Sequence, residues 1–226
     1  VQAQRAGIAQ SVPTILQDKK GSIPMARNLF AALMQALVVL ACAGYAVAED
    51  AIPIDDHSFK CLNQMTKVRH FYVDNLLGDL DATVAVANSA AGGTYPPGSV
   101  LQLFAGEAMV KQRPGYNPAT KDWEFFELDV SPEGTKIAKR GFVDVVNRFG
   151  GNCFGCHAAA KPEFDLVCEQ DHGCAPIPVT RAMFGTLQKT DPRCQPAAEL
   201  TEEDKKNLAD LGEIIKSITE AREKKQ

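Results

Sequence analysis

Two thiols and an imidazole stand together at Cys153-Phe154-Gly155-Cys156-His157, and this spacing has a specific use. Thiols three residues apart can add to the two vinyl groups of one porphyrin, which makes Cys153 and Cys156 candidate attachment points for a single covalent haem c. The neighbouring imidazole of His157 is then placed to bind the iron as the proximal ligand. Composition alone gives a chance match at roughly one in a few hundred for a chain of this length, so coincidence is a poor explanation. The serious competitors are a redox dithiol and a zinc site completed by Cys168, His172 or Cys174. A redox dithiol should open a helix after a buried strand in a βαβ unit, and no such unit is legible. Zinc is the better rival, and the compartment argues against it.

That compartment is read from residues 25 to 48. Met25-Ala26-Arg27-Asn28 is a short basic start, Leu29 to Val47 is almost free of polar residues, and Ala46-Val47-Ala48 precedes Glu49-Asp50. This is the pattern of a signal peptide cleaved near Ala48. The competing reading is a membrane anchor, for which the apolar run is near the minimum length of about 18 residues. Residues 1 to 24 read as an upstream extension, and 49 to 226 as the mature domain. The expected location is the periplasm or another exported compartment.

Export changes the meaning of the remaining thiols. Of seven cysteines, Cys42 lies in the signal and Cys153 and Cys156 are assigned to haem, leaving Cys61, Cys168, Cys174 and Cys194. An even remainder in an oxidising compartment reads as two disulfides with three connectivities. Cys168 with Cys174 closes a short loop and leaves Cys61 for Cys194; sequence alone does not fix that choice.

The elements that must position the motif read as a mixed α+β chain. Phe59, Leu62, Met65, Val68, Tyr72 and Val73 recur at helical spacing, so the pattern from about Ser58 predicts a helix with a break at Gly78 and a second helix over Leu80 to Ala90. Pro96-Pro97-Gly98 marks a turn, Ser99 to Phe104 a strand ending or bulging at Gly106, and Asp122 to Val130 the best strand in the chain. Ser131-Pro132-Glu133-Gly134 turns it back into Thr135 to Ala138. From Thr201 the charge order and the stripe Leu208, Leu211, Ile215, Ile218 predict a C-terminal amphipathic helix that packs on the domain or meets a partner such as a second copy. The fold expected is a small antiparallel sheet flanked by helices. A net charge of −4 with no basic patch gives no reason to expect nucleic acid.

The second axial position separates ligand binders from electron carriers. Met65, Met109 and Met183 are the methionines of the mature chain, and Met109 is the best placed to be a distal ligand. His57, His70 and His172 are weaker candidates. Leu103, Phe104 and Phe125, with Met109, are the candidates for the distal wall.

Taken in order, Tyr72-Val73-Asp74, Tyr95-Pro96-Pro97-Gly98-Ser99-Val100, Asp122-Trp123-Glu124-Phe125-Phe126, Cys153 to His157 and Asp165-Leu166-Val167 resemble the cytochrome P460 family, which includes the sheet-based cytochromes c′-beta. The resemblance covers about residues 60 to 168. It implies an antiparallel sheet with flanking helices, a haem linked to Cys153 and Cys156, His157 on the iron and an open distal face. It also divides the function. The P460 branch oxidises hydroxylamine with a lysine joined to the porphyrin; the c′-beta branch binds gases such as nitric oxide. The cross-linking lysine should lie near Leu103, where none exists. Lys111 would be roughly 26 Å further along an extended strand at about 3.3 Å per residue, unless Gly106 turns the chain. The expected function is binding of nitric oxide or a related nitrogen-containing ligand, with or without electron transfer to a redox partner protein. A hydroxylamine oxidoreductase, a six-coordinate electron carrier and a zinc-binding non-haem protein are the alternatives.

Overall fold

The computed structural model describes residues 50–169 and 171–224. The expected signal peptide and upstream extension lie outside the described residues.

A six-stranded antiparallel sheet runs in sequence order, each strand pairing with the next: β1 (Thr66–Val68), β2 (Phe71–Asn75), β3 (Ser99–Gln102), β4 (Glu107–Lys111), β5 (Trp123–Ser131) and β6 (Gly134–Gly141). Four α-helices are present among the described residues: α1 (Leu80–Asn88), α2 (Cys153–His157), α3 (Arg181–Lys189) and α4 (Glu202–Glu223). The class is α+β. No helix among the described residues is long and apolar enough to cross a membrane.

The helix expected from Ser58 to Gly78 is absent. Its place is taken by two single 3-10 turns, Asp56–Ser58 and Leu62–Gln64, and then by the β1–β2 hairpin, which turns through Arg69 and His70 with Val68 opposite Phe71. The apolar residues do not share one face: Val68, Phe71 and Val73 enter one core cluster, while Leu62 and Tyr72 enter another. Val, Phe and Tyr suit a pleated, half-buried surface, and tertiary pairing decides against the helical spacing. The second helix is found as α1, two residues shorter than expected at its C-terminal end.

The middle of the chain follows the sequence more closely. Gly98 turns the chain into β3 with φ +86, and a Cβ there would come within 2.8 Å of Asn75 Oδ1, so glycine is required on both grounds. The strand from Ser99 is shorter than expected and ends at Gln102. Beyond it the chain turns through Phe104, Ala105 and Gly106 and returns as β4, a strand absent from the sequence reading, with Leu101 opposite Met109 and Val100 opposite Val110. Lys111 therefore comes back alongside the start of β3, and the extended-strand separation does not apply. Ser131 and Gly134 pair at the tip of the β5–β6 hairpin, and β6 runs on to Gly141.

The sheet buries both faces. One carries Val73, Leu101, Met109, Trp123 and Phe125, joined by Ala87 of α1 and by Leu166 and Val167; Cys153, Phe154 and Leu103 pack against this cluster. The other carries Val100, Ala108, Val110, Phe126 and Leu128, covered by Ile52, Ile54 and Phe59. In α4, Leu211 and Asp204 are buried, Leu208, Ile215 and Ile218 are half-buried, and Asp204 takes hydrogen bonds from Thr186 and Lys189 of α3.

Cys61 and Cys194 lie at bonding distance, as do Cys168 and Cys174. This is the pairing favoured on loop length.

Candidate functional site

Helix α2 is one turn long, and its neighbours hold it in place. Asn152 caps it by accepting from the Gly155 amide at 2.6 Å and donates its own side-chain amide to the Val143 carbonyl. The Cys153 amide donates to Val145 at 3.0 Å. A side chain at position 155 would crowd the cap, because a Cβ there would stand 3.1 Å from Asn152 Oδ1. A short turn of this kind places Cys153 and Cys156 on the same side of the helix.

Both thiols are free, Cys156 exposed and Cys153 half-buried against the apolar cluster. Burial, with help from Glu107 and Glu127, pushes the Cys153 thiol up to about 11. An attacking redox thiol needs the opposite shift, towards thiolate at neutral pH. Of the further zinc ligands, Cys168 and Cys174 are bonded to each other, which leaves only His172, whose ring stacks on Phe164 at 3.6 Å, short of the two ligands a closed tetrahedral site would still need. Among the described residues, the one group of three sulfur or carboxylate ligands close enough for a metal is Cys61, Asp191 and Cys194, whose two sulfurs are already joined.

His157 carries the most informative contact. Its Nδ1 stands 2.7 Å from the Leu166 carbonyl oxygen. A carbonyl can only accept, so Nδ1 carries the proton and Nε2 is left with a free lone pair, the tautomer a metal-binding imidazole needs. Burial holds the ring below the ordinary histidine pKa, against the opposing pull of the carbonyl. Burial thus favours the neutral form of the imidazole. The Phe125 ring lies against it, centroid to centroid 5.2 Å.

The Leu166 carbonyl is aimed by an unusual turn. Asp165 and Leu166 both have left-handed backbone, at φ 50 and 65, a conformation that is costly for leucine. Five bonds fix it. Lys111 Nζ donates to both carboxylate oxygens of Asp165, at 2.9 and 2.8 Å, and the Tyr95 amide to Oδ2 at 2.9 Å. The Trp123 indole donates to the Asp165 carbonyl at 2.7 Å, and the Val167 amide to Phe164 at 2.8 Å.

The remaining sequence candidates fall as follows. Met109 is buried in the sheet between Leu101 and its register partner Phe125, in the cluster against which Cys153 and Leu103 pack. Phe104 lies outside that cluster, its ring 6.3 Å from Phe149. Met183 is buried on α3, and Met65 packs beside Phe59 and Leu62. His57 is exposed on a 3-10 turn, and His70 sits 3.4 Å from Glu169 in the β1–β2 hairpin. Sequence reasoning missed Leu166, Asp165 and Lys111 as parts of the site. The signal available was an apolar strand ending in a lysine, Ala108-Met109-Val110-Lys111, whose charge would need a buried partner.

The donor set fits a covalently held haem: two unpaired thiols one helical turn apart, an oriented neutral imidazole beside them, and apolar side chains flanking Cys153. No model of a known protein family matches the chain, and neither the curated proteins nor the solved structures hold a match.

Proposed function

We infer that this chain is an exported mono-haem c-type cytochrome that binds nitric oxide or a related small nitrogen-containing ligand, in the manner of the cytochrome P460 family that its motifs resemble. The observation carrying this reading is the Nδ1 to Leu166 contact of His157, beside two free thiols, because it prepares Nε2 for a metal.

In this reading Cys153 and Cys156 hold the haem through two thioethers, and His157 Nε2 binds its iron. The haem supplies an iron centre that can take a neutral diatomic and exchange one electron. The chain does the rest. The Leu166 carbonyl fixes the imidazole ring and raises its basicity. Leu103 and Met109, in the apolar cluster that Cys153 packs against, offer no hydrogen-bond donor, which favours a neutral ligand over an anion, while Phe125 lies against the His157 ring on the proximal side. The hydroxylamine route through a lysine cross-link is disfavoured because Lys111 is buried with its ammonium on Asp165 and on the Lys121 carbonyl.

The test is the mass and visible spectrum of protein expressed with cytochrome c maturation machinery, oxidised and reduced, before and after nitric oxide. The expected result is one covalent haem and a five-coordinate iron whose spectrum changes on adding the gas. A colourless product of unmodified mass overturns the reading. A low-spin spectrum lost in Met109→Ala assigns the electron carrier instead.

A further inference from the structure

The buried pair of Lys111 and Asp165 has no role in attaching a haem and touches neither thiol, yet both side chains lie deep in the fold, 7% and 4% exposed. Burying two charges costs more than a well-packed apolar pair unless their geometry and surroundings compensate. Here the compensation is dense. The ammonium also reaches the Lys121 carbonyl at 2.7 Å and lies 5.0 Å from the centre of the Trp123 ring. Trp123 in turn donates to the main chain of Asp165. All these contacts converge on the two-residue left-handed turn whose second carbonyl holds His157.

We propose that Lys111 and Asp165, with Trp123, are positioning residues that hold the Asp165–Leu166 turn so that the Leu166 carbonyl stays on His157 Nδ1, and that through this bond the pair sets the electron donation of Nε2. The argument rests on the haem reading for its functional consequence and on the geometry alone for its structural half. A hydrogen bond from Nδ1–H to a fixed carbonyl gives the imidazole more anionic character, which stabilises the oxidised iron and lowers the reduction potential. Without the tether, two left-handed residues relax, the carbonyl leaves the ring, and the potential rises.

The experiment compares the full exported protein with Asp165→Asn and with the double variant Lys111→Met/Asp165→Asn. The double variant leaves no unpaired buried charge and so folds if the single variant does not. Asp191→Asn serves as a control, since it breaks another buried ion pair, with Arg193, a pair whose other side-chain hydrogen bonds run to Leu62, Phe59 and Thr135 and not to the Asp165–Leu166 turn. Both Lys111/Asp165 variants should keep the covalent haem by mass and shift the ferrous-to-ferric equilibrium roughly tenfold towards ferrous, about 59 mV upward for one electron. The control should leave the potential unchanged. A shift under twofold in the double variant, or an equal shift in the control, overturns the proposal. Should the wild type carry no haem adduct, the cytochrome reading fails by itself. The proposal is then decided by nitrogen NMR of His157: Nδ1-protonated in the wild type and mixed in the variants upholds it, and one unchanged tautomer in all three overturns it.

Discussion

At the scale of single residues, the chemistry of this chain divides between what side-chain types announce and what backbone geometry supplies. Cys153, Cys156 and His157 are legible because their identities and spacing carry the information. The acceptor for His157 is not, because it is a main-chain carbonyl, and any residue type has one. Its direction depends on Lys111 meeting Asp165 across 54 positions, a pairing that no local pattern encodes. Glu107 makes a separate point at this scale. It faces Glu127 across the β4–β5 ladder and has one oxygen without a hydrogen-bond partner, and burial raises its pKa from the usual 4.5 to about 7 despite a hydrogen bond from Asn147. A raised carboxyl pKa means that the folded state keeps a proton the unfolded chain has released, so stability should fall as pH climbs from 4.5 to 7 and level off above. Glu107→Gln should remove that decline. Urea unfolding at pH 5 and pH 8 should find the variant favoured by about 2 kcal/mol at the higher pH, after allowance for solvent screening at a partly exposed site. An equal pH dependence in variant and wild type would count against the assignment.

Among elements, the strands at Trp123–Ser131 and Gly134–Gly141 were readable from their aromatic content and the Ser-Pro-Glu-Gly turn, and the C-terminal helix from its charge order. The first segment was misread because apolar residues three and four apart fit a helix stripe as well as they fit two short strands joined by a tight turn. Only the presence of β3 to pair with β2 decides between them. Strand β4 was missed because Gly106 looked like an end and proved to be part of a turn. The loop before Asp165 depends on another glycine. Gly92 sits at φ +76 with its missing Cβ only 2.2 Å from the Glu163 carbonyl oxygen, while the Gly93 amide donates to that same oxygen at 2.8 Å. Gly92→Ala should push residues 162–164 away and cost about 2–3 kcal/mol, read as a lowered thermal midpoint. A midpoint within a degree of wild type would show that the loop yields freely.

For the molecule as a whole, the two disulfides enclose very different lengths of chain, 133 and 6 residues of separation. On chain entropy the long closure is worth about 5 kcal/mol and the short one about 2. Cys61→Ala/Cys194→Ala should therefore lower unfolding free energy roughly twice as far as Cys168→Ala/Cys174→Ala, a comparison that denaturant titration of the two double variants makes directly. Equal losses would mean that packing rather than closure dominates. The sheet itself has a further consequence, because every strand pairs with its sequence neighbour. A polypeptide emerging N-terminus first can zip this meander hairpin by hairpin, with no strand waiting for a distant partner. All six have appeared before Cys153 does, so a freshly made chain offers the Cys153–His157 turn a finished wall to dock on at the moment the thiols arrive.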